Sequence, residues 1–175
     1  LESLGEELTG LYSKRHFKVR YQSDLSQRST DASYAAAVFT IDDLDTITQN
    51  IGHDVAQQII RSLGAYINKH FGAVGGFSSR QTINEYATVL PYSNLEESER
   101  ILVDFTKDFK AHGIEGIEEH EIWELDSNVE NEDPTGEYVE FSVLAGLAQG
   151  KPQIEIESVM EFARFNQKEL ARFRC

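Results

Sequence analysis

The stretch RQTINEYATVLP, Arg80 to Pro91, decides how the rest of the chain is read. Glu85 to Leu90 is rich in β-branched and aromatic side chains, and Pro91, which lacks an N–H, ends it. Ala73 to Arg80 reads as a second strand, and the two meet in a hairpin. The turn region, Thr82-Ile83-Asn84-Glu85-Tyr86, offers one carboxylate and no glycine. On either side of the hairpin lie helical patterns. Val55, Ile59, Leu63 and Ile67 recur at fourfold spacing, with Ile60, Tyr66 and Phe71 widening the stripe, which predicts a helix from Asp54 stopped at Gly72. Asn94 and Glu97 have the spacing of a capping box, ahead of a helix that buries Leu95, Leu102, Phe105 and Phe109 and ends at Gly113.

Further out, Leu11 to Leu25 is amphipathic, and the run AAAVFTI, Ala35 to Ile41, reads as a buried strand. Glu115 to Leu125 is expected to be strand, and Asp126 to Gly136 an acidic loop. Val139, Phe141, Val143, Ala145 and Leu147 alternate as a strand does. A closing helix is predicted over Ile156 to Phe173, with Val159, Phe162, Ala163, Leu170 and Phe173 toward the core. Helices and strands in this order predict one α/β (α+β) sandwich domain over residues 1–175.

Composition narrows the partners. Thirty acidic against sixteen basic residues give a formal charge of −14, which argues against nucleic acid or an anionic membrane as partner. The one cysteine is Cys175, so no intrachain disulfide forms. No apolar run approaches the ~20 residues that span a bilayer, and LESLGEELTG lacks the features of a signal peptide. The expectation is a cytoplasmic domain, with residues 1–10 as the end of a linker from an upstream domain.

Three segments in order resemble the GGDEF (diguanylate cyclase) family. EELTGLYSKRHF, Glu6 to Phe17, is similar to its D-x-L-T-G-L-x-N-R-R opening, with Leu8-Thr9-Gly10-Leu11 and Arg15 intact. TIDDLDTITQNIGH, Thr40 to His53, resembles D-x-D-x-F-K-x-I-N-D-x-x-G-H, with Asp42, Ile47, Gly52 and His53 matching. EYATVLP, Glu85 to Pro91, is similar to the second half of the signature hairpin. The resemblance implies a palm-like central antiparallel sheet flanked by helices, and an activity in which two domains, each with GTP and divalent metal, build cyclic di-GMP.

The same resemblance implies loss of that activity here. The two acidic metal ligands fall at Thr40 and Asn84, and the hairpin glycines at Thr82 and Ile83. The phosphate-facing lysine falls at Asp45, and the guanine-reading Asn and Asp at Thr48 and Gln57. The nucleotide site thus survives only as the vestige Thr40, Ile41, Asp45, Thr48 and Gln57, beside a vestigial hairpin Thr82 to Tyr86. The late A-D-x-A-L-Y-x-A-K signature is poorly matched by ARFNQKELA, Ala163 to Ala171, and the R-x-x-D product-inhibition motif reads Ala73-Val74-Gly75-Gly76. The expected function is a catalytically inactive regulatory or protein-interaction module in bacterial cyclic di-GMP signalling. Neither cofactor nor metal is expected, and the partner is another protein, a neighbouring domain or a second copy. The alternatives are a GTP sensor without turnover and, less favoured, an active cyclase with an altered metal site.

Other features have plain readings. Asp42, Asp43 and Asp45 with Glu85 suggest a cation cluster but read more simply as helix-start carboxylates. Glu118-Glu119-His120-Glu121 alternates across a strand, so its members do not converge. His53 shapes a turn into a helix, Gly75-Gly76 a strand entry, and Lys14 and Arg15 surface ion pairs.

Overall fold

The computed structural model describes residues 5–25, 28, 32–114, 117–119 and 139–174. Strand β1 (Tyr34–Asp42) runs through the middle of a six-stranded sheet. Its neighbours are β3 (Glu85–Leu90) and β5 (Glu140–Gly150), both antiparallel to it. β2 (Phe77–Thr82) lies outside β3, while β6 (Lys168–Arg174) and the short β4 (Glu118–Glu119) continue beyond β5. Ala35, Ala37, Phe39 and Ile41 of β1 enter one core cluster; Tyr34, Ala36 and Val38 enter the other. Helices cover both faces, so β1 reads as a continuous apolar run rather than an alternating one.

On the first face lie α2 (Leu44–Asn50), α3 (His53–Gly72) and α4 (Leu95–His112). Phe105 of α4 is fully buried there, its ring 5.2 Å from Phe39, 5.9 Å from Phe71 and 5.7 Å from Phe109. The capping box forms as read: the Asn94 side chain accepts from the Glu97 amide at 2.8 Å, and Glu97 accepts from the Asn94 amide at 3.1 Å. Asp108 joins α3 to α4 by accepting from Lys69 at 2.7 Å and bonding His70 at 2.7 Å. These partners hold its carboxyl well below the usual range. The second face is covered by α1 (Lys14–Leu25), through Phe17, Tyr21 and Leu25, and by α5 (Ile156–Phe165), through Ile156, Val159, Met160 and Ala163.

The chain end differs from its expectation. The helix predicted to Phe173 stops at Phe165, and residues 168–174 form β6, paired with β5 from Ala145 to Glu140. Leu170 and Phe173 suit a helical stripe by their spacing of three, but Ala171 and Phe173 share a face of a strand and are the buried pair. Phe162, expected in the core, is 64% exposed. β5 starts at Glu140 and is buried on both sides over much of its length, since helices lie on each. β2 begins at Phe77 rather than Ala73. The intervening residues make a turn in which Gly75 has φ +82° and the Gly76 amide donates to the Phe71 carbonyl at 2.9 Å. Of the strand expected at 115–125, residues 117–119 are described, and of these Glu118–Glu119 form β4. The acidic loop, His120, Glu121 and Cys175 lie outside them.

Candidate functional site

The hairpin turn folds because its side chains bond one another. The Thr82 hydroxyl donates to Asn84 Oδ1 at 3.0 Å, and Asn84 Nδ2 donates to the Ile41 carbonyl at 3.2 Å. The Ile41 amide donates to the Asn84 carbonyl at 2.9 Å, which ties the turn to the end of β1. Both ends of the Asn84 amide are therefore engaged. Ile83 stands at the tip, 65% exposed. Tyr86 is core: fully buried, it donates to the Ile60 carbonyl at 2.6 Å, and burial pushes its phenol far up.

Thr40 and Glu85 face each other across β1 and β3. Both meet residues from the end of α5 that the sequence alone did not place there. Arg164 grips Glu85 with two bonds, Nε to Oε2 at 2.7 Å and Nη2 to Oε1 at 2.8 Å. Gln167 Nε2 donates to Thr40 Oγ1 at 2.7 Å and to the Val38 carbonyl at 3.2 Å. The Glu85 side chain is only 14% exposed against 41% for Arg164, so the carboxylate depends on its partner more than the guanidinium does. The bond from Glu85 keeps Arg164 protonated beyond its ordinary range. A forked pair of this kind is stronger than a single charge contact. The stretch Ala163 to Ala171, set against the late signature, is not one helix: its first three residues end α5 and its last four belong to β6.

Removing Arg164 leaves a largely enclosed Glu85 without that counter-charge. A fully buried pair broken this way costs about 3–5 kcal/mol. Exposure of Arg164 lowers that, so Arg164→Ala is expected to cost about 1–2 kcal/mol in urea unfolding. Arg164→Lys should recover only part of it, because an ammonium cannot fork.

Other predicted residues lie apart from this pair. Asp45 caps its own neighbour, accepting from the Thr46 amide at 3.0 Å, and Thr48 donates to the Leu44 carbonyl at 3.0 Å. Asp43 takes the left-handed conformation, φ +66°, at the start of α2, without a side-chain cap bond. Of the three carboxylates, Asp45 alone lies in the first turn of α2. Gln57 bonds His53 at 2.9 Å on the exposed first turns of α3. Two clefts flank the hairpin. One, about 310 Å³, is lined by Lys14, Phe17, Lys18, Thr82, Glu85, Met160 and Arg164. The other, about 390 Å³, is lined by Glu6, Leu8, His53, Gln57, Arg80, Thr82 and Ile83. Among the described residues no three His, Cys, Asp or Glu side chains converge as a metal site would require.

The opening motif also reaches the hairpin. Glu6 accepts from Arg80 Nη2 at 2.8 Å and from the Thr9 amide and hydroxyl at 2.9 and 2.6 Å. Burial opposes its charge, but bonds from Thr9 and Arg80 outweigh that and hold its carboxyl below the usual range. The Tyr12 amide donates to the Ser78 carbonyl at 3.0 Å and Gly5 bridges Tyr12, so residues 5–10, the described part of the stretch 1–10 expected as a linker end, lead directly onto edge strand β2. Among the described residues no helix is long and apolar enough to cross a membrane.

The fold matches that of known domains. The GGDEF domain of DgcB from Caulobacter crescentus, solved with c-di-GMP, superposes with a TM-score of 0.69 at 19% identity, covering 94% of this chain and 85% of that one. The FimX GGDEF domain from Pseudomonas aeruginosa gives 0.69 at 16% identity, covering 94% and 91%. The diguanylate cyclase SiaD from Pseudomonas aeruginosa, solved with its activator SiaC, gives 0.69 at 16%, covering 94% and 56%. No curated protein matches the chain by sequence. Residues 5–122 match the family model described as "Diguanylate cyclase, GGDEF domain", and the chain belongs to the GGDEF family, whose signalling molecule is cyclic di-GMP.

Proposed function

We propose that this GGDEF domain has lost cyclase activity and acts as a regulatory or protein-interaction module in cyclic di-GMP signalling. The observation that carries this reading is the ion pair of Arg164 with Glu85 beside a Thr40 already bonded to Gln167. A divalent cation takes oxygen ligands, preferably anionic ones. At the two ligand positions stand a hydroxyl and an amide, both engaged in other bonds. Glu85, which faces Thr40 across the two strands, already has a cation of its own. This donor set does not fit the metal that phosphoryl transfer uses to neutralise triphosphate charge.

Two further features support the reading. Ile83 stands exposed at the hairpin tip where the family pattern has a glycine, and Asp45 stands in the first turn of α2 where that pattern has a phosphate-facing lysine. SiaD, solved with its activator SiaC, illustrates a GGDEF-family protein held in a protein complex. Incubation with GTP and either Mg²⁺ or Mn²⁺, followed by chromatography, is expected to yield no cyclic di-GMP above the no-protein control. Product above that control overturns the proposal.

The cleft beside His53 and Gln57 favours a second reading, a nucleotide sensor without turnover. Thermal-shift titrations with guanine nucleotides separate the two: stabilisation that Gln57→Ala removes supports the sensor, and none at millimolar ligand excludes it.

A further inference from the structure

We propose that the cleft between α1, α5 and the hairpin is a binding site for a small zwitterion, a free α-amino acid with an apolar side chain. The inference rests on the closed Arg164–Glu85 pair of the preceding reading, but not on the absence of turnover. The cleft has a volume of about 310 Å³, at the small end of the usual range for ligand sites. Its floor is apolar: Phe17 of α1 and Ile156 and Met160 of α5 are at most 7% exposed. The flexible Met160 side chain adapts to what is laid on it.

Charge decides what fits above that floor. Six charged side chains line the cleft, Lys14, Lys18 and Arg164 against Glu85, Glu157 and Glu161. Two pairs are already closed: Lys18 meets Glu157 at 2.9 Å, and Arg164 grips Glu85 through its fork. Lys14 stands one turn before Lys18 on α1, and Glu161 one turn after Glu157 on α5, so together they are the next rung of the same ladder. That rung is open. Neither side chain bonds the other or any other described residue, although the sequence suggested a surface ion pair for Lys14. The charges each does feel, Glu157 for Lys14 and Arg164 for Glu161, belong to groups with closer partners.

A cleft with one open cation and one open anion discriminates against a ligand of single sign. An anion on Lys14 would face an unpaired Glu161, and a cation on Glu161 would face an unpaired Lys14. A zwitterion satisfies both. An amino acid carries its two charges close together and its side chain on a third branch. Its carboxylate accepts from the Lys14 ammonium, its ammonium donates to the Glu161 carboxylate, and its side chain lies over Phe17, Ile156 and Met160. Exposed charges add little affinity. The floor therefore supplies most of the binding, and the open rung supplies the choice of ligand.

The probes are leucine, methionine and phenylalanine, each titrated into the isotope-labelled chain and followed by NMR amide shifts. At least one is expected to give saturable shifts concentrated on residues 14–18, 81–85 and 156–164. Its N-acetyl and carboxamide derivatives, which each lack one charge, should bind about fivefold more weakly. Lys14→Gln should weaken the amino acid by about fivefold without weakening its carboxamide, and Glu161→Gln should do the same with respect to the N-acetyl derivative. Both positions are exposed, so neither change threatens the fold. No saturable shift with any probe up to roughly 20 mM, equal binding of a singly charged derivative, or unchanged affinity in the two variants each overturn the proposal. GTP turnover enters none of these readouts, so the site and the loss of activity fail independently.

Discussion

Gly146→Ala is expected to destabilise the domain by about 3 kcal/mol or more and to release the end of α5 from the sheet. A Cβ at Gly146 would lie 1.9 Å from the Ala163 carbonyl oxygen, 2.7 Å from the Gln167 nitrogen and 2.9 Å from the Asn166 carbonyl carbon. All three are backbone atoms, so no rotamer change relieves the clash. The helix end must recede by roughly 1.5 Å, and overpacking of well-packed contacts typically costs about 1–3 kcal/mol before any bond is lost. Recession would also strain the bonds of Asn166 to Leu147 and of Gln167 to Thr40, and open the Arg164–Glu85 fork. The midpoint of urea unfolding should fall with little change in its slope. A loss below about 1 kcal/mol would mean that α5 does not seat on β5 as described.

Phe105→Ala tests the opposite face and should cost about 3–5 kcal/mol, the range for emptying a buried aromatic position. Phe105 is wholly buried and its ring meets Phe39 of β1, Phe71 of α3, and Phe109 and Tyr66 at centroid distances of 5.2 to 6.4 Å. No single neighbour can collapse into that space without leaving its own partners. The two substitutions differ in what else they change. Phe105→Ala should leave the Arg164–Glu85 pair in place, since it lies across the sheet, whereas Gly146→Ala should not. Comparing the stability cost of Arg164→Ala in each background measures this: additive with Phe105→Ala, and diminished with Gly146→Ala.

Much of the scaffold could be read from residue order because each element obeys local chemistry. The Asn94–Glu97 box, the fourfold stripe of α3 and the Pro91 stop need no knowledge of distant residues. The boundary between α5 and β6 did need it. Leu170 and Phe173 satisfy a helical and a strand reading alike, and only pairing with β5 makes the second one right. Likewise, α2 is too short to show a period of its own, and Phe162 was misplaced because a stripe says which residues align, not which side is covered.

The site divides in the same way. Neutral residues at Thr40 and Asn84 are plain in the sequence once the motifs are matched. The cation that meets Glu85 is not, because Arg164 is 79 residues away and the helix that carries it was expected to run on. Glu6 and Arg80, 74 residues apart, were hidden for the same reason. In both cases the signal was the presence of an opposite charge; the distance was supplied by the fold.

If Thr40 and Asn84 no longer hold a metal, the cation at this end of the hairpin is Arg164, bonded to Glu85. Crystals soaked with Mn²⁺ and a non-hydrolysable GTP analogue test it most directly, by anomalous density between Thr40, Asn84 and Glu85. No manganese peak is expected there, with the Arg164 fork closed on Glu85. A peak coordinated by Glu85, with Arg164 turned away and a triphosphate in contact with the ion, would contradict it.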